Sequence, residues 1–259
     1  MGFELAISNV SHSYGKVRAL EDVSVTLREG EILAVIGPSG CGKSTLLGIV
    51  GGLVAPSSGS VSLLGETPSG TLNPFTFIFQ DFALLPWRTV AGNVSLPLEH
   101  HPIGAADRAA RVADALARTG LADFAGALPK QLSGGMRQRV GIARALVVKP
   151  AVFLMDEPLS ALDGQTRELL MDDFEDIWKR EKTTGIYVTH NLDEAIRMAD
   201  RVMVLRRRPG RVREIVNVPT PRGERREPEH QAAMRRLHEQ LWDNIREEAK
   251  MADREVIHG

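Results

Sequence analysis

A short run of glycine, lysine and hydroxyl residues near the start of the chain has the composition of a phosphate-binding loop. Its residues are Gly37, Pro38, Ser39, Gly40, Cys41, Gly42, Lys43, Ser44 and Thr45. They fit the pattern G-x-x-x-x-G-K-[ST], in which glycines let several backbone N–H groups converge on phosphate oxygens. Lys43 would reach the β- and γ-phosphates of a nucleotide, and the Ser44 hydroxyl would ligate Mg²⁺. The run therefore predicts a site for a nucleoside triphosphate such as ATP, with Mg²⁺.

The loop stands between a predicted strand and a predicted helix, which is the context that it requires. Ile32–Ile36 is a continuous apolar run, typical of a strand buried on both faces. A helix predicted from about Lys43 to Val50 would add the partial positive charge of its N-terminus. We interpret Cys41 as a small loop residue without a redox role.

A second strand ends in two acids. The apolar run Val152–Met155 is followed by Asp156 and Glu157. Carboxylates at the end of a buried strand are costly unless they meet a cation or a hydrogen-bond network. Asp156 fits an acid that holds Mg²⁺, directly or through water, and Glu157 fits a general base for the attacking water. A solvated Asp-Glu turn is the alternative, and the phosphate-loop pattern earlier in the chain disfavours it.

The run LSGGMRQR at Leu132–Arg139 is the most specific feature of the sequence. Ser133, Gly134 and Gly135 would begin a helix and form a second anion site. With this run and with Ile142–Leu146, the chain resembles the ABC transporter ATPases over nearly its whole length. The resemblance implies that Ser133 and the two glycines bind the γ-phosphate held by the other subunit of a head-to-tail dimer.

The resemblance implies roles for four further residues. Gln80 resembles the glutamine that contacts Mg²⁺ and water and signals to the permease, and Asp163 resembles the aspartate of the loop crossing the dimer interface. His190 resembles the switch histidine at the γ-phosphate. Tyr14 resembles the aromatic residue that stacks on adenine, with a packed strand tyrosine as the alternative. The implied catalytic residues are Glu157, His190 and Gln80, and the implied metal ligands are Ser44, Gln80 and Asp156.

The order of the predicted elements indicates an α/β fold. The resemblance implies a P-loop NTPase (RecA-like) core with an N-terminal antiparallel β subdomain and an inserted helical subdomain that carries the signature run. We expect an ABC ATPase domain over residues 1–225, with the RecA-like and β parts at 1–88 and 150–225 and the helical insertion at about 89–149. A linker at Pro219–Gly223 would precede an amphipathic helical extension over 226–259.

Apolar spacing predicts the remaining elements. The further strands are predicted at Phe3–Val10, Val23–Leu27, Ser60–Leu64, Phe75–Phe79, Ile186–Thr189, Val202–Leu205 and Val212–Val216, and further helices at Ala105–Thr119 and Leu162–Arg180. The last helix should turn Leu169, Leu170, Phe174, Ile177 and Trp178 to one face. Asn191 should cap the helix after His190, with Glu194 in the capping-box position.

Composition and charge exclude several classes of protein. The 259 residues carry a formal net charge of -1, so no overall field attracts nucleic acid. A single cysteine excludes an intrachain disulfide framework. The N-terminus lacks the order of a secretory signal, and no apolar run approaches the ~20 residues of a membrane helix. We therefore expect any membrane role to come through a partner.

The segments Gln80–Val90 and Leu205–Val212 resemble importer ATPases of the nitrate/sulfonate/taurine class. This implies an ATPase, a translocase subunit, peripheral on the cytoplasmic face of the inner membrane. Its implied partners are a second copy of itself, transmembrane permease subunits and, indirectly, a substrate-binding protein.

Three alternatives stay open at this point. The chain could be an ABC ATPase outside transport, an ABC exporter motor, or a P-loop kinase or GTPase, although the last leaves Leu132–Gln138 and His190 without a role.

Phe82, Leu84, Leu85 and Trp87 could line a groove for a permease helix or pack into the core. The arginines of Arg206–Arg213 could bind an anionic partner, but a solvated hairpin face is the favoured interpretation.

Overall fold

The structure is a computed structural model that describes residues 2–79, 83–160, 162–181 and 184–258, with side chains described as far as residue 248. The strands are β1 (Phe3–Tyr14), β2 (Val17–Arg28), β3 (Ile32–Ile36), β4 (Ser58–Gly65), β5 (Phe75–Phe79), β6 (Val152–Asp156), β7 (Thr184–Val188), β8 (Arg201–Leu205) and β9 (Val212–Asn217). The helices are α1 (Lys43–Val50), α2 (Val90–Ser95), α3 (Ala105–Arg118), α4 (Gly134–Leu146), α5 (Gly164–Glu181), α6 (Leu192–Met198) and α7 (Gln231–His258). Short 3₁₀ turns lie at Leu96–Leu98, Ala122–Phe124 and Pro129–Gln131.

The chain divides into two compact units. Unit 1 is drawn from residues 1–66, 154–157 and 182–259, and unit 2 from 67–153 and 158–181. The boundaries expected from the sequence, at 88/89, 149/150 and 225/226, describe subdomains rather than these units and stay predictions.

The first sheet of unit 1 is antiparallel, with the strand order β2-β1-β4. Along β2, Val23, Val25 and Leu27 are buried while the residues between them face outward. This period of two explains why the apolar half of the strand was predictable. Pairing continues to Tyr14 and Val17 at the hairpin, so β1 and β2 extend beyond the predicted Phe3–Val10 and Val23–Leu27.

The second sheet is mixed, with the strand order β5-β6-β7-β3-β8-β9. Its strand β3 lies between β7 and β8 and is parallel to both, while β9 is antiparallel to β8. All five residues of β3 are buried, as expected for a parallel strand covered on both faces. The predicted α/β class with an N-terminal antiparallel β part is confirmed.

Helices supply most of the core of unit 2. Val94 of α2, Leu116 of α3 and Val140 of α4 meet in one buried apolar cluster. Along α5, the buried side chains include Leu170, Phe174, Ile177 and Trp178. The predicted face of this helix was wrong in one member, because Leu169 is 66% exposed. It precedes Leu170 by one position, about 100° around the helix, and so lies outside the buried stripe.

The C-terminal part of unit 1 ends in α7, which packs against α6 and β8. Leu237 and Leu241 are buried on its inner face, in agreement with the predicted amphipathic spacing. Within the segment predicted as a linker, Thr220 is buried while Pro219, Pro221 and Gly223 are exposed, and just beyond it the buried Arg225 donates to Ile196 O at 2.7 Å. Within the described residues, no helix combines the length and apolar character needed to cross a bilayer.

Candidate functional site

The predicted phosphate loop opens into a cavity of about 490 Å³ in unit 1. Its lining is Tyr14, Val17, Ala19, Ser39, Gly40, Gly42, Lys43, Ser44, Thr45, Glu157 and Arg208. Gly42 caps α1 with a φ of 100°, and a Cβ at this position would lie 2.6 Å from Leu20 Cδ2. Only glycine therefore suits both the backbone conformation and the close packing at this point of the loop.

Lys43 is the buried cationic group of this cavity, whereas the Arg208 side chain is exposed. Its side chain is largely buried, and its Nζ donates to Gly37 O at 2.9 Å and to Pro38 O at 3.2 Å. The residue also begins α1, whose first-turn N–H groups lack acceptors within the helix. An ammonium held beside a helix N-terminus is a site for a phosphate.

Ser44 and Asp156 bring two oxygen donors together in unit 1. Ser44 Oγ donates to Asp156 Oδ1 at 3.2 Å. Burial is the main cause that raises the pKa of Asp156, with Glu157 acting in the same direction, and the hydrogen bond from Ser44 opposes the rise. A hydroxyl and a half-buried carboxylate fit Mg²⁺, which prefers oxygen ligands, and the cation would offset the cost of the buried negative charge.

Glu157 lines the cavity and pairs with His190, which is not part of the lining. His190 Nδ1 lies 3.0 Å from Glu157 Oε2, and the imidazole is the more exposed of the two side chains. Glu157 has a φ of 47°, which is unusual for a residue with a side chain, and its N–H donates to Val188 O. Such conformations cluster at functional sites because the surrounding structure must enforce them. A carboxylate and an imidazole in this arrangement can accept a proton and hold it.

The second predicted anion site lies in unit 2, at the start of α4. Ser133 is the N-cap, and its Oγ accepts the N–H of Met136 at 3.2 Å. Gly134 and Gly135 form the first turn, and Ser133 is exposed. The helix is anchored from below by the buried Gln138, whose Nε2 donates to Pro158 O at 2.9 Å. The geometry agrees with the predicted exposed helix start.

Comparison with known proteins places these features in a family. The family model described as ABC transporter matches residues 20–160, more than half of the chain. The chain belongs to the ABC transporter family. It is therefore an ATP-binding chain and an ATPase.

Three ABC relatives with assigned names are similar to this chain. The bicarbonate transport ATP-binding protein CmpD of Synechocystis is 41% identical over 84% of this chain and 80% of its own length. The taurine import ATP-binding protein TauB of Jannaschia is 42% identical, over 83% and 82% respectively. The aliphatic sulfonates import ATP-binding protein SsuB 1 of Xanthomonas axonopodis is 43% identical, over 88% and 90%.

A solved ABC structure gives the same fold. It is a dimer of the ATP-binding cassette MJ0796 in a post-hydrolysis state with ADP and Pi. The TM-score is 0.67 at 33% identity, and the match covers 84% of this chain and all of the other. These comparisons confirm the resemblance and the P-loop NTPase fold.

The structure also describes the surroundings of Tyr14 and Asp163, two further residues implied by the ABC resemblance. Tyr14 is 54% exposed and lines the cavity, with its ring edge-on to His12 at 4.5 Å between centroids, so it is not packed into the core. Asp163 of unit 2 is also exposed, and hydrogen bonds from Thr166 and Gln165 lower its pKa. Gln80 and Phe82 lie outside the described residues, so their predicted roles stay predictions.

The predicted capping box after His190 was wrong in its second half. Asn191 does cap α6, accepting from the N–H groups of Asp193 and Glu194. The buried Glu194 side chain turns away from this cap and accepts from Tyr187 Oη at 3.0 Å and Thr189 Oγ1 at 2.8 Å. A buried carboxylate prefers these two donors because they lie inside the unit. This network behind His190 had no signal in the sequence pattern.

Arg208 is the cavity residue that sequence reasoning missed. It was placed on a solvated arginine hairpin, yet it lines the cavity and its Nε donates to Gly40 O at 3.3 Å. Its neighbours Arg211 and Arg213 pair with the acids Glu21 and Glu248 instead. Composition alone could not separate one arginine of this cluster from the others.

Proposed function

We propose that this chain is the ATP-hydrolysing subunit of an ABC importer for a small organic or inorganic anion. One observation carries the proposal. Unit 1 holds a phosphate cavity with its own cation and acids, and unit 2 presents the exposed Ser133 turn that a second phosphate site would need. The cavity supports ATP chemistry within the chain, and the turn supports assembly with another copy.

The proposed chemistry divides among the cavity side chains. The loop N–H groups and Lys43 bind the β- and γ-phosphates, and Ser44 and Asp156 hold Mg²⁺, with Gln80 as a further ligand. Mg²⁺ supplies charge neutralisation on the phosphates when it is bound. Glu157 takes the proton of the attacking water, and His190, held against the Glu157 carboxylate, contacts the γ-phosphate. Tyr14 stacks on adenine through its exposed ring.

The partner in hydrolysis would be a second copy in a head-to-tail dimer. Ser133, Gly134 and Gly135 would donate to the γ-phosphate bound by the other copy, and Asp163 would lie at the interface. The dimeric state of the similar cassette MJ0796 supports this arrangement. So does the exposure of the Ser133 turn, because an anion site on a convex helix end needs a second surface to enclose it.

A groove in unit 2 supports a permease contact. Its volume is about 770 Å³, and it is lined mainly by small apolar residues of α2 and α3 such as Ala91, Ala109 and Val112. Earlier in unit 2, Trp87 is 74% exposed, whereas Leu84 packs partly into the core. We assign the groove to a short permease helix, and we assign Trp87, which precedes α2 and is not part of the groove lining, to a further contact with the permease.

The contact is tested by Trp87→Ala in the subunit with and without its reconstituted permease. We expect an unchanged basal ATPase rate and melting temperature, with permease-stimulated turnover reduced about tenfold or more. Trp242→Ala is the matched control, because Trp242 is also exposed but belongs to unit 1. A large loss of thermal stability and basal rate in Trp87→Ala would instead make Trp87 a structural residue.

The cargo class is inferred from relatives named for bicarbonate, taurine and aliphatic sulfonates. Their identities to this chain, 41%, 42% and 43%, do not separate one cargo from another. We therefore propose a small anion, delivered by a substrate-binding protein to a permease, with this chain peripheral on the cytoplasmic face of the membrane.

The whole proposal is tested by copurification and kinetics. The subunit should copurify with a membrane permease, and its basal ATPase rate should rise with about the square of its concentration because two copies form each site. An active ATPase that never associates with a membrane protein would favour the non-transport alternative. A rate linear in protein concentration, down to nanomolar levels, would contradict the dimer.

A further inference from the structure

The turn between β8 and β9 brings Arg208 to the edge of the phosphate cavity. Arg208 is exposed, and one of its donors is used by Gly40 O. A guanidinium has five N–H donors, so most of them are available to a ligand. Within the part of the chain that the structure describes, no carboxylate pairs with Arg208.

Two other arginines of the hairpin, Arg211 and Arg213, are paired with acids. Arg211 pairs with Glu21 at 2.6 Å, and Arg213 pairs with Glu248 at 2.9 Å and also with Glu247. Acids therefore neutralise these two charges on the same hairpin. Arg208 keeps its charge beside a loop that we propose binds a triphosphate.

The backbone of the hairpin is hydrogen-bonded to β2 and packs against the phosphate loop. Gly210 N donates to Ala19 O at 2.9 Å, and Glu21 N donates to Gly210 O at 3.0 Å. A Cβ on Gly210 would lie 2.0 Å from Cys41 O, so the two backbones are in direct contact. The backbone two residues from Arg208 is consequently held beside the loop, which favours a preorganised contact between the Arg208 side chain and a ligand.

The C-terminal helix supports the same hairpin from its other side. Glu248 of α7 is buried, and its carboxylate accepts from Arg207 N at 3.2 Å and from Arg213 Nη1 at 2.9 Å. One acid thus binds the residue before Arg208 and the strand after the turn. Hydrogen bonds to a buried charge are among the stronger contacts in proteins.

We propose that Arg208 is a nucleotide-binding residue that donates to a phosphate oxygen of ATP, and that Glu248 is a positioning residue for it. The inference rests on the proposed role of the cavity in binding ATP. Under this proposal, α7 contributes to nucleotide binding because its Glu248 supports the hairpin that carries Arg208.

The test measures Kd values of the full chain for ATP and, by competition, for inorganic tripolyphosphate. Arg208→Ala should weaken both by about 5- to 10-fold, the effect of one charged hydrogen bond at a partly exposed site. Arg208→Lys keeps the charge and should recover part of the loss. Arg206→Ala is the control, since Arg206 is exposed on the same hairpin but does not line the cavity.

Each alternative outcome contradicts the assignment. Unchanged affinity for both ligands in Arg208→Ala would leave Arg208 as a structural tie to Gly40. Weaker ATP binding with unchanged tripolyphosphate binding would place the contact on the nucleoside. If Arg208→Ala melts too early for titration, Arg208→Lys and Arg208→Gln must still differ in ATP affinity, and equal values would overturn the proposal.

A double-mutant cycle tests the role of Glu248. Glu248→Ala should weaken ATP binding about threefold in the natural sequence and have no effect in the Arg208→Ala background. Equal losses in both backgrounds would show that Glu248 acts on the cavity by another route. Lys43→Ala separates the two proposals, because tight ATP binding without Lys43 would refute the cavity itself, whereas Arg208 could fail alone.

Discussion

The two proposed anion sites of this molecule differ in the groups that each contains for binding a phosphate. The cavity of unit 1 contains a buried lysine and a carboxylate bonded to a serine, and it encloses about 490 Å³. The Ser133 turn of unit 2 is an exposed helix start whose serine is bonded to its own helix through Met136 N. We propose that the first site binds phosphate in a single chain and that the second offers donors to a ligand held by another copy.

This difference between the cavity and the Ser133 turn would allow a chain to bind ATP alone yet depend on a partner to hydrolyse it. Charge and concavity favour the ground state of the ligand in unit 1. The donors at Ser133 would add stabilisation where negative charge grows on the γ-phosphate, which is the contribution that accelerates the reaction. Substitutions in one site should therefore change binding, and substitutions in the other should change turnover.

The largest effect is expected at Lys43. Lys43→Ala should weaken ATP binding by about 100-fold or more and remove hydrolysis with it, because the buried ammonium is the main cation of the cavity. Equilibrium titration with a fluorescent ATP analogue measures this. Lys179→Ala, an exposed lysine of α5, should bind normally. Tight binding by Lys43→Ala would end the claim that unit 1 is the self-sufficient site.

Glu157 separates binding from turnover within unit 1 itself. Glu157→Gln should keep the ATP affinity, lower kcat by about 100-fold or more, and accumulate an ATP-bound dimer, since only the proton acceptor is lost. Size-exclusion chromatography with ATP detects the dimer, and Glu66→Gln serves as an exposed control. A monomer under these conditions, or a turnover rate near normal, would contradict the base assignment.

Ser133 tests the opposite half of the comparison. Ser133→Arg should remove hydrolysis and leave ATP binding to the monomer unchanged, because this turn serves the other copy's nucleotide. Mixing it with Lys43→Ala is the sharper experiment. Both lesions then fall on one composite site, and the other site stays intact.

The mixture should regain ATP-driven dimerisation and part of the ATPase rate, although each variant alone shows neither. Sedimentation velocity and phosphate release measure the two properties. If the mixture stays inactive and monomeric, the two sites do not complement each other between copies, and the comparison between units loses its meaning for function.

The smallest effect concerns Cys41, whose pKa is raised mainly by burial, against the lowering influence of Lys43. A raised pKa leaves less thiolate at neutral pH, so N-ethylmaleimide should react at least about tenfold more slowly with the native than with the unfolded chain. Ser133→Cys, combined with Cys41→Ala, should react at the rate of an exposed thiol. Fast labelling of native Cys41 would show that the reagent reaches the thiol, which would contradict its burial in the phosphate loop.

The core strands of this fold were predictable because a run of apolar residues in the sequence indicates a strand that packs into the core. The fully buried strand Ile32–Ile36 has the predicted bounds, as does the mostly half-buried strand Phe75–Phe79, and α1 runs from Lys43 to Val50 as expected. The hairpin end of β1 was not predictable, since its polar residues are held by pairing with β2 rather than by an apolar pattern. The same limit applies to Thr220, which is buried although its neighbours Pro219 and Pro221 in the predicted linker are exposed.

The site was predictable for residues that belong to a motif, even where the fold brings distant motifs together, and not for residues outside any motif. Lys43 and Ser44 belong to one loop, and the structure brings Asp156 to Ser44 and His190 to Glu157. Arg208 meets Gly40 across 168 residues of sequence, and only the topology of β8 and β9 determines that contact. A local pattern carries no information about such distant pairs.

The buried hydrogen bond between Tyr187 and Glu194 couples the energetic effects of substitutions at these two positions. Glu194 accepts from the Tyr187 hydroxyl in the interior of unit 1, behind the exposed imidazole of His190. Losing that hydroxyl would remove a donor from a buried carboxylate, at a cost of about 1–3 kcal/mol. Thr189 Oγ1 would remain as a donor, so phenylalanine at 187 should weaken the support of the acid at 194 without removing it, and the energetic effects of substitutions at the two positions should not be additive.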